Sequence, residues 1–176
     1  MKTEIASFAS SDGKQLSGRL DLPVGVPRAV ALFAHCFSCG KDLRSARRLT
    51  ARLTDRGFAV LRFDFTGLGE SEGEFADTNF SSNVADLVAA ADWLRQTYSA
   101  PSLLIGHSLG GAAVLAAAGQ VPELAAVATI GAPADPQHVT HLFECALDDI
   151  AENGVAEVSI AGRSFMIFSK SVAPTR

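Results

Sequence analysis

Four short apolar runs set the terms on which this chain can fold: residues 29–35 (AVALFAH), 58–65 (FAVLRFDF), 102–107 (SLLIGH) and 126–132 (AVATIGA). Each is too short for a helix and places hydrophobic residues at consecutive positions, as strands covered on both faces of a parallel sheet do. The stretches between them carry helical spacing. Leu43, Ala46, Leu49 and Leu53 recur on one face, with Arg44, Arg47, Arg48 and Arg52 on the solvated face. Phe80, Val84, Leu87, Val88, Ala91, Leu94 and Tyr98 form a second stripe, with Phe80, Trp93 and Tyr98 expected in the core, and residues 109–119 are almost all small or apolar. Strands alternating with helices imply right-handed βαβ crossovers, hence an α/β fold built on a doubly wound, mostly parallel sheet.

The two ends add smaller units. Residues 4–9 and 15–22 flank Ser11-Asp12-Gly13-Lys14 and read as a hairpin. Asp135 is a candidate N-cap and Pro136 suits a first helical position, followed by an apolar face of Val139, Leu142, Phe143, Ala146, Leu147 and Ile150. Asn153-Gly154 ends that helix, and residues 156–168 alternate around Ala161-Gly162-Arg163 as a second hairpin. The position of 135–168 after the last apolar run predicts a lid helix and hairpin over a cleft. With 176 residues, 48% of them hydrophobic, the whole chain 1–176 is expected to build one core. A net charge of -4 and a pI near 5.5 present no basic footprint to nucleic acid or to an anionic membrane. The start lacks a secretory apolar segment, no run approaches the roughly 20 apolar residues of a membrane span, and three cysteines make no disulfide framework. These features predict a soluble, cytoplasmic protein.

The chemistry is concentrated at Gly106-His107-Ser108-Leu109-Gly110, a G-x-S-x-G pentapeptide between an apolar strand and a helix of small residues. A serine on a sharp strand-to-helix turn exposes its hydroxyl, and the flanking glycines let strand and helix backbones approach. The helix N-terminus offers N–H groups and a positive dipole end to a developing oxyanion, so Ser108 is the candidate nucleophile and the Leu109 N–H a candidate oxyanion donor. A dinucleotide-type phosphate loop would need G-x-G-x-x-G, which is absent. Asp64, at the end of its strand before Gly67 and Gly69, is expected to bond loop amides rather than to react.

Taken together, HCFSCGKD (35–42), RFDFTGLGESEGEF (62–75), GHSLGG (106–111) and TIGAPADPQHVTHLF (129–143) resemble the α/β-hydrolase superfamily. They are most similar to the hydrolase half of bacterial bifunctional proteins that carry an OsmC-like domain downstream, over nearly the whole chain to about residue 165. The resemblance implies hydrolysis of a small-molecule ester or thioester through an acyl-Ser108 intermediate, with the backbone N–H groups of Phe37 and Leu109 holding the oxyanion and no metal or organic cofactor. Many members have His-Gly where this chain has His35-Cys36. Such hydrolases usually continue with two more strands, whose following loops carry the acid and the histidine. This chain stops before both, so the resemblance implies a truncated sheet lacking its last strands. Its open edge would be covered by a homo-oligomer or another partner.

A serine hydroxyl needs a base in reach and a group to orient it. His107 is expected behind the turn and His35 in a loop-stabilising role. A substitute set is Ser108 with His138 or His141 and Asp135, set against a reading in which Asp135 caps the lid helix. Two further readings belong to other classes. One is a hydrolase-fold protein without turnover, serving as a binding or assembly module or left as a relic. The other is thiol redox chemistry at Cys36-x-x-Cys39, with Lys41 lowering a thiol pKa. Zinc at the same cysteines would need two more ligands, for which His35 and Cys145 are the candidates. The simplest reading of Cys36 and Cys39 is two small residues shaping the loop.

Overall fold

The computed structural model describes residues 1–36, 39–134, 146–160 and 163–168. β1 (Lys2–Ala9) and β2 (Gln15–Leu22) form an antiparallel hairpin in which Ala9 pairs with Gln15 and Lys2 with Leu22. β3 (Ala29–Ala34), α1 (Arg44–Thr54), β4 (Phe58–Phe63), α2 (Phe80–Thr97), β5 (Leu103–His107), α3 (Leu109–Ala117) and β6 (Ala126–Ile130) follow. The sheet order is β1-β2-β4-β3-β5-β6, with β4, β3, β5 and β6 parallel and the hairpin joined antiparallel through β2. This is a mostly parallel sheet with helices on both faces.

Alternation along the strands divides the core. Leu32, Leu61, Phe63 and Leu104 point to one face, where they meet Leu87 and Leu94 of α2 and Val114 of α3. Ala31, Phe33, Val60 and Ile105 point to the other, against Ala46, Leu49 and Leu53 of α1. Burying each large side chain contributes about 1.5–3 kcal/mol. α2 starts at a capping box in which the Asn79 side chain accepts from the Ser82 N–H (3.0 Å) and the Asn79 N–H donates to the Ser82 hydroxyl (2.9 Å).

Two details depart from the apolar stripes. Tyr98 is 39% exposed rather than core, because it lies just past the end of α2, and Leu43 precedes α1 and is likewise exposed. The inward face of α2 also buries Asn83 and Asp86. Asp86 is satisfied by Thr66, whose N–H (2.9 Å) and hydroxyl (3.1 Å) both donate to its carboxylate. Burial pushes the Asp86 carboxyl above its ordinary range, against the pull of those two bonds.

Beyond β6, α4 (Leu147–Asn153) leads into an antiparallel hairpin of β7 (Val155–Ile160) and β8 (Arg163–Phe168). Ala146, Ile150 and Val158 are buried in the same core cluster as α2 and α3, and β8 lies against a short 3-10 turn at Phe75–Asp77. Among the described residues, no helix is long and apolar enough to cross a membrane.

Candidate active site

β5 ends at His107 and α3 begins at Leu109, leaving Ser108 alone in the turn between them. Its backbone sits at φ 55° and ψ −123°, and among the described residues it is the only non-glycine with positive φ. Holding an L-residue there costs about 1–3 kcal/mol and requires that the surroundings fix it. They do: the Ser108 N–H donates to the Ile130 carbonyl of β6 (2.9 Å), and the Ser108 carbonyl accepts from the Gly111 N–H (2.8 Å). The glycines have a steric reason. A Cβ on Gly106 would collide with the Gly110 carbonyl, and one on Gly110 would collide with the carbonyl oxygens of His35 and Ala34. Strand, helix and the end of β3 therefore meet at backbone distance around the serine.

Leu109 is the first residue of α3, so its N–H has no partner within the helix and sits at the positive end of the helix dipole. Leu109, Gly110 and Ala113 join His35, Cys36, Phe65, Leu68, Phe75 and Asn83 around a narrow recess of about 250 Å³, counting space open to solvent. Amides at a helix start beside a serine oxygen can stabilise negative charge developing there. Phe37, the second oxyanion candidate, and Asp135, His138 and His141, the candidate acid and bases, lie outside the described residues. Cys145 does too.

The loop after β3 is anchored by buried charge that the sequence pattern concealed. Asp64 accepts from the Lys41 N–H and ammonium (2.6 Å each) and from the Glu70 N–H (3.0 Å). Lys41 also reaches Glu70 (2.7 Å), and Arg62 reaches the Asp21 carboxylate (2.8 Å), the Lys41 carbonyl (2.7 Å) and Asp42 (2.5 Å). Burial works against the Lys41 ammonium, but its bonds to Asp64 and Glu70 hold its pKa above the ordinary lysine value. Lys41 is thus committed to carboxylates, which corrects the expectation that it acts on a cysteine thiol. Arg62 and Asp64 inside the run FAVLRFDF were the available signal, since charge within a strand covered on both faces must be paired. The structural role expected of Asp64 matches these bonds.

His35 is buried, and its Nδ1–H donates to the Cys36 carbonyl (2.8 Å) while Nε2 lies 3.8 Å from Asp64. Cys36 and Cys39 are joined as a disulfide with their Cα atoms 5.2 Å apart. The histidine that approaches their sulfurs is His107, not His35: ligand atoms of Cys36, Cys39 and His107 all lie within 4.8 Å of one another. Sequence reasoning set His107 behind the turn. The parallel register, with Ala34 opposite Gly106, brings it beside the cysteine loop instead.

With this geometry in hand, the likenesses to known proteins are informative. The human monoglyceride lipase is 29% identical over 121 residues, which are 68% of this chain and 39% of that protein, so the chain spans about two fifths of the length of the curated relatives it matches. The esterase domain of a Rhodothermus marinus protein is 51% identical, superposes with a TM-score of 0.74 and is matched over 98% of this chain and 67% of its own. The mouse alpha/beta hydrolase domain-containing protein 10 is 20% identical with a TM-score of 0.75, over 96% of this chain and 68% of its own, a likeness of fold. The sequence profile of the Hydrolase_4 family, described as serine aminopeptidase S33, matches residues 25–164. Across most of its length, then, the chain belongs to the Hydrolase_4 (serine aminopeptidase, S33) family of the α/β-hydrolase superfamily.

Proposed function

We propose that the protein is a serine hydrolase acting on a small-molecule ester or thioester through Ser108. The observation that carries this reading is the backbone of Ser108, held at positive φ between strand and helix at a cost of about 1–3 kcal/mol. The 51% identity to an esterase domain supports the substrate class. The Ser108 oxygen attacks the acyl carbon and gives its proton to a base, while the N–H groups of Leu109 and Phe37 receive the charge of the tetrahedral oxyanion. Collapse expels the alcohol or thiol, which takes that proton, and water then releases the acid from acyl-Ser108. The base is assigned to the segment after β6, with His138 or His141 accepting the proton and Asp135 orienting the ring. The end of β6 adjoins the serine through the bond between Ser108 N–H and Ile130, which supports that assignment.

The same proposal takes 135–168 as a lid within one domain, since Ile150 and Val158 pack on the core and β8 lies against the turn that holds Phe75 of the recess. Kinship with OsmC-associated hydrolases rests on HCFSCGKD and RFDFTGLGESEGEF. Four of the five residues of β6 are exposed, which supports coverage of that edge by a second copy or another partner.

Labelling with a fluorophosphonate probe, read by intact mass beside turnover of a short p-nitrophenyl ester, tests the reading. Wild type is expected to label once per chain and turn over, Ser108→Ala to do neither, and His138→Ala or His141→Ala to lose most of the rate. A folded wild type that does not label overturns it and favours a hydrolase fold that binds without turnover.

A further inference from the structure

The cysteine pair beside the elbow is absorbed by no step of acyl transfer. We propose that in its dithiol form the cluster of Cys36, Cys39 and His107 binds one zinc-like divalent cation. The inference is independent of the reading of Ser108. It begins with the sheet: β3 and β5 run parallel with Ala34 opposite Gly106, so the chain leaving β3 and the last residue of β5 emerge side by side. Cys36 and Cys39 come from the first and His107 from the second, and their ligand atoms fall within 4.8 Å of one another. Zinc binds thiolate at about 2.3 Å and imidazole at about 2.0–2.1 Å, which a tetrahedral site meets with donors a little under 4 Å apart. In the disulfide the two sulfurs are bonded to each other, so on reduction they must separate to that spacing while His107 stays beside them.

The surroundings favour a site over a chance cluster. All three residues are half-buried, shielded enough to strengthen the interaction yet open to an entering ion. The two cysteines are tied by backbone, with the Cys39 N–H donating to the Cys36 carbonyl (3.1 Å), which also accepts from His35 (2.8 Å), and Lys41 nearby is fixed to Asp64. Two thiolates and one imidazole are a soft, borderline donor set that selects zinc over calcium or magnesium. Three protein ligands leave a fourth position for water. Binding requires both sulfurs as thiolates and releases their protons. The disulfide seen between the sulfurs is the form that cannot bind.

The test uses the full chain, reduced anaerobically with a trialkylphosphine. The phosphine supplies two electrons and takes oxygen from water to become its oxide, and the two sulfurs take up that water's two protons. Titration with Co²⁺ is expected to give one ion per chain, with thiolate-to-cobalt charge transfer and the intense visible bands of a four-coordinate site. Zn²⁺ should displace it. His107→Ala and Cys39→Ser should each weaken zinc, measured against a chromophoric chelator, by about a hundredfold or more, since even outer-shell losses cost about 10–100-fold. His107→Asn serves if the alanine variant does not fold. Sub-stoichiometric binding, equal affinity in a folded His107 variant, or equal binding by the oxidised chain would each overturn the site.

Discussion

β5 and β6 are neighbouring parallel strands of five residues, and as sequence they are nearly the same object: LLIGH and AVATI. In the fold they are opposites. β5 lies between β3 and β6 with helices on both faces, so its three central residues are buried. Among the described residues β6 has one strand neighbour, and four of its five residues are exposed. Apolar runs report that a segment can be buried on two sides. They do not report whether the rest of the chain supplies both covers. The serine sits between the two regimes, its turn anchored to buried β3 by Gly110 and to exposed β6 by the bond to Ile130.

The strongest way to break the contrast is on the buried side. Gly110→Ala places a Cβ against the backbone carbonyls of Ala34 and His35, which no rotamer can relieve. We expect a loss of about 4 kcal/mol or more, at the far end of what single substitutions do, measured by urea unfolding. A loss below about 1 kcal/mol would show that β3 and α3 are free to separate, and the tight elbow would fail as a description.

What was legible follows the same division. The strands, the three helices between them and the turn at Ser108 could be read because each rests on local pattern: consecutive apolar residues, helical spacing, glycines two positions either side of a serine. The ion pairs of Lys41 and Arg62 could not be paired in advance, because their partners come from elements brought together by sheet order. The antiparallel neighbour of β4 proved to be β2, which delivers Asp21 to Arg62. His107 was misplaced for the same reason, since its position beside Cys36 depends on β3 lying next to β5. The segment named for the base lies outside the described residues.

A matched pair measures the contrast directly. Ile105 on β5 is 4% exposed, and Ile130 on β6 is 48% exposed. Ile105→Ala is expected to cost about 2–5 kcal/mol through lost burial and the cavity left beside Phe33 and Val60. Ile130→Ala should stay within about 0.5 kcal/mol, as exposed substitutions do. Equal losses would mean that β6 is covered in solution. Sedimentation over a range of concentrations would then show the association responsible, and a monomer throughout would return the coverage to the chain itself.

The smallest effect sharpens the comparison through charge, because only the covered region can shift a titration by burial. Asp86, 2% exposed beneath Thr66, has its pKa raised above the ordinary aspartate value of 3.8. A raised folded pKa means the folded state holds the proton more tightly. That stability is fully present below the unfolded pKa and is lost as pH rises through the folded one. Asp86→Asn keeps an acceptor for the Thr66 N–H and removes the titration. Its stability relative to wild type should therefore climb from the ordinary aspartate range up to the raised pKa and level off above it, with a slope of no more than about 1.4 kcal/mol per pH unit. Urea midpoints of both proteins across that window check the sign. A variant that loses ground as pH rises would mean that the two Thr66 bonds outweigh burial, and that the covered half of the sheet is more polar around Asp86 than its exposure indicates.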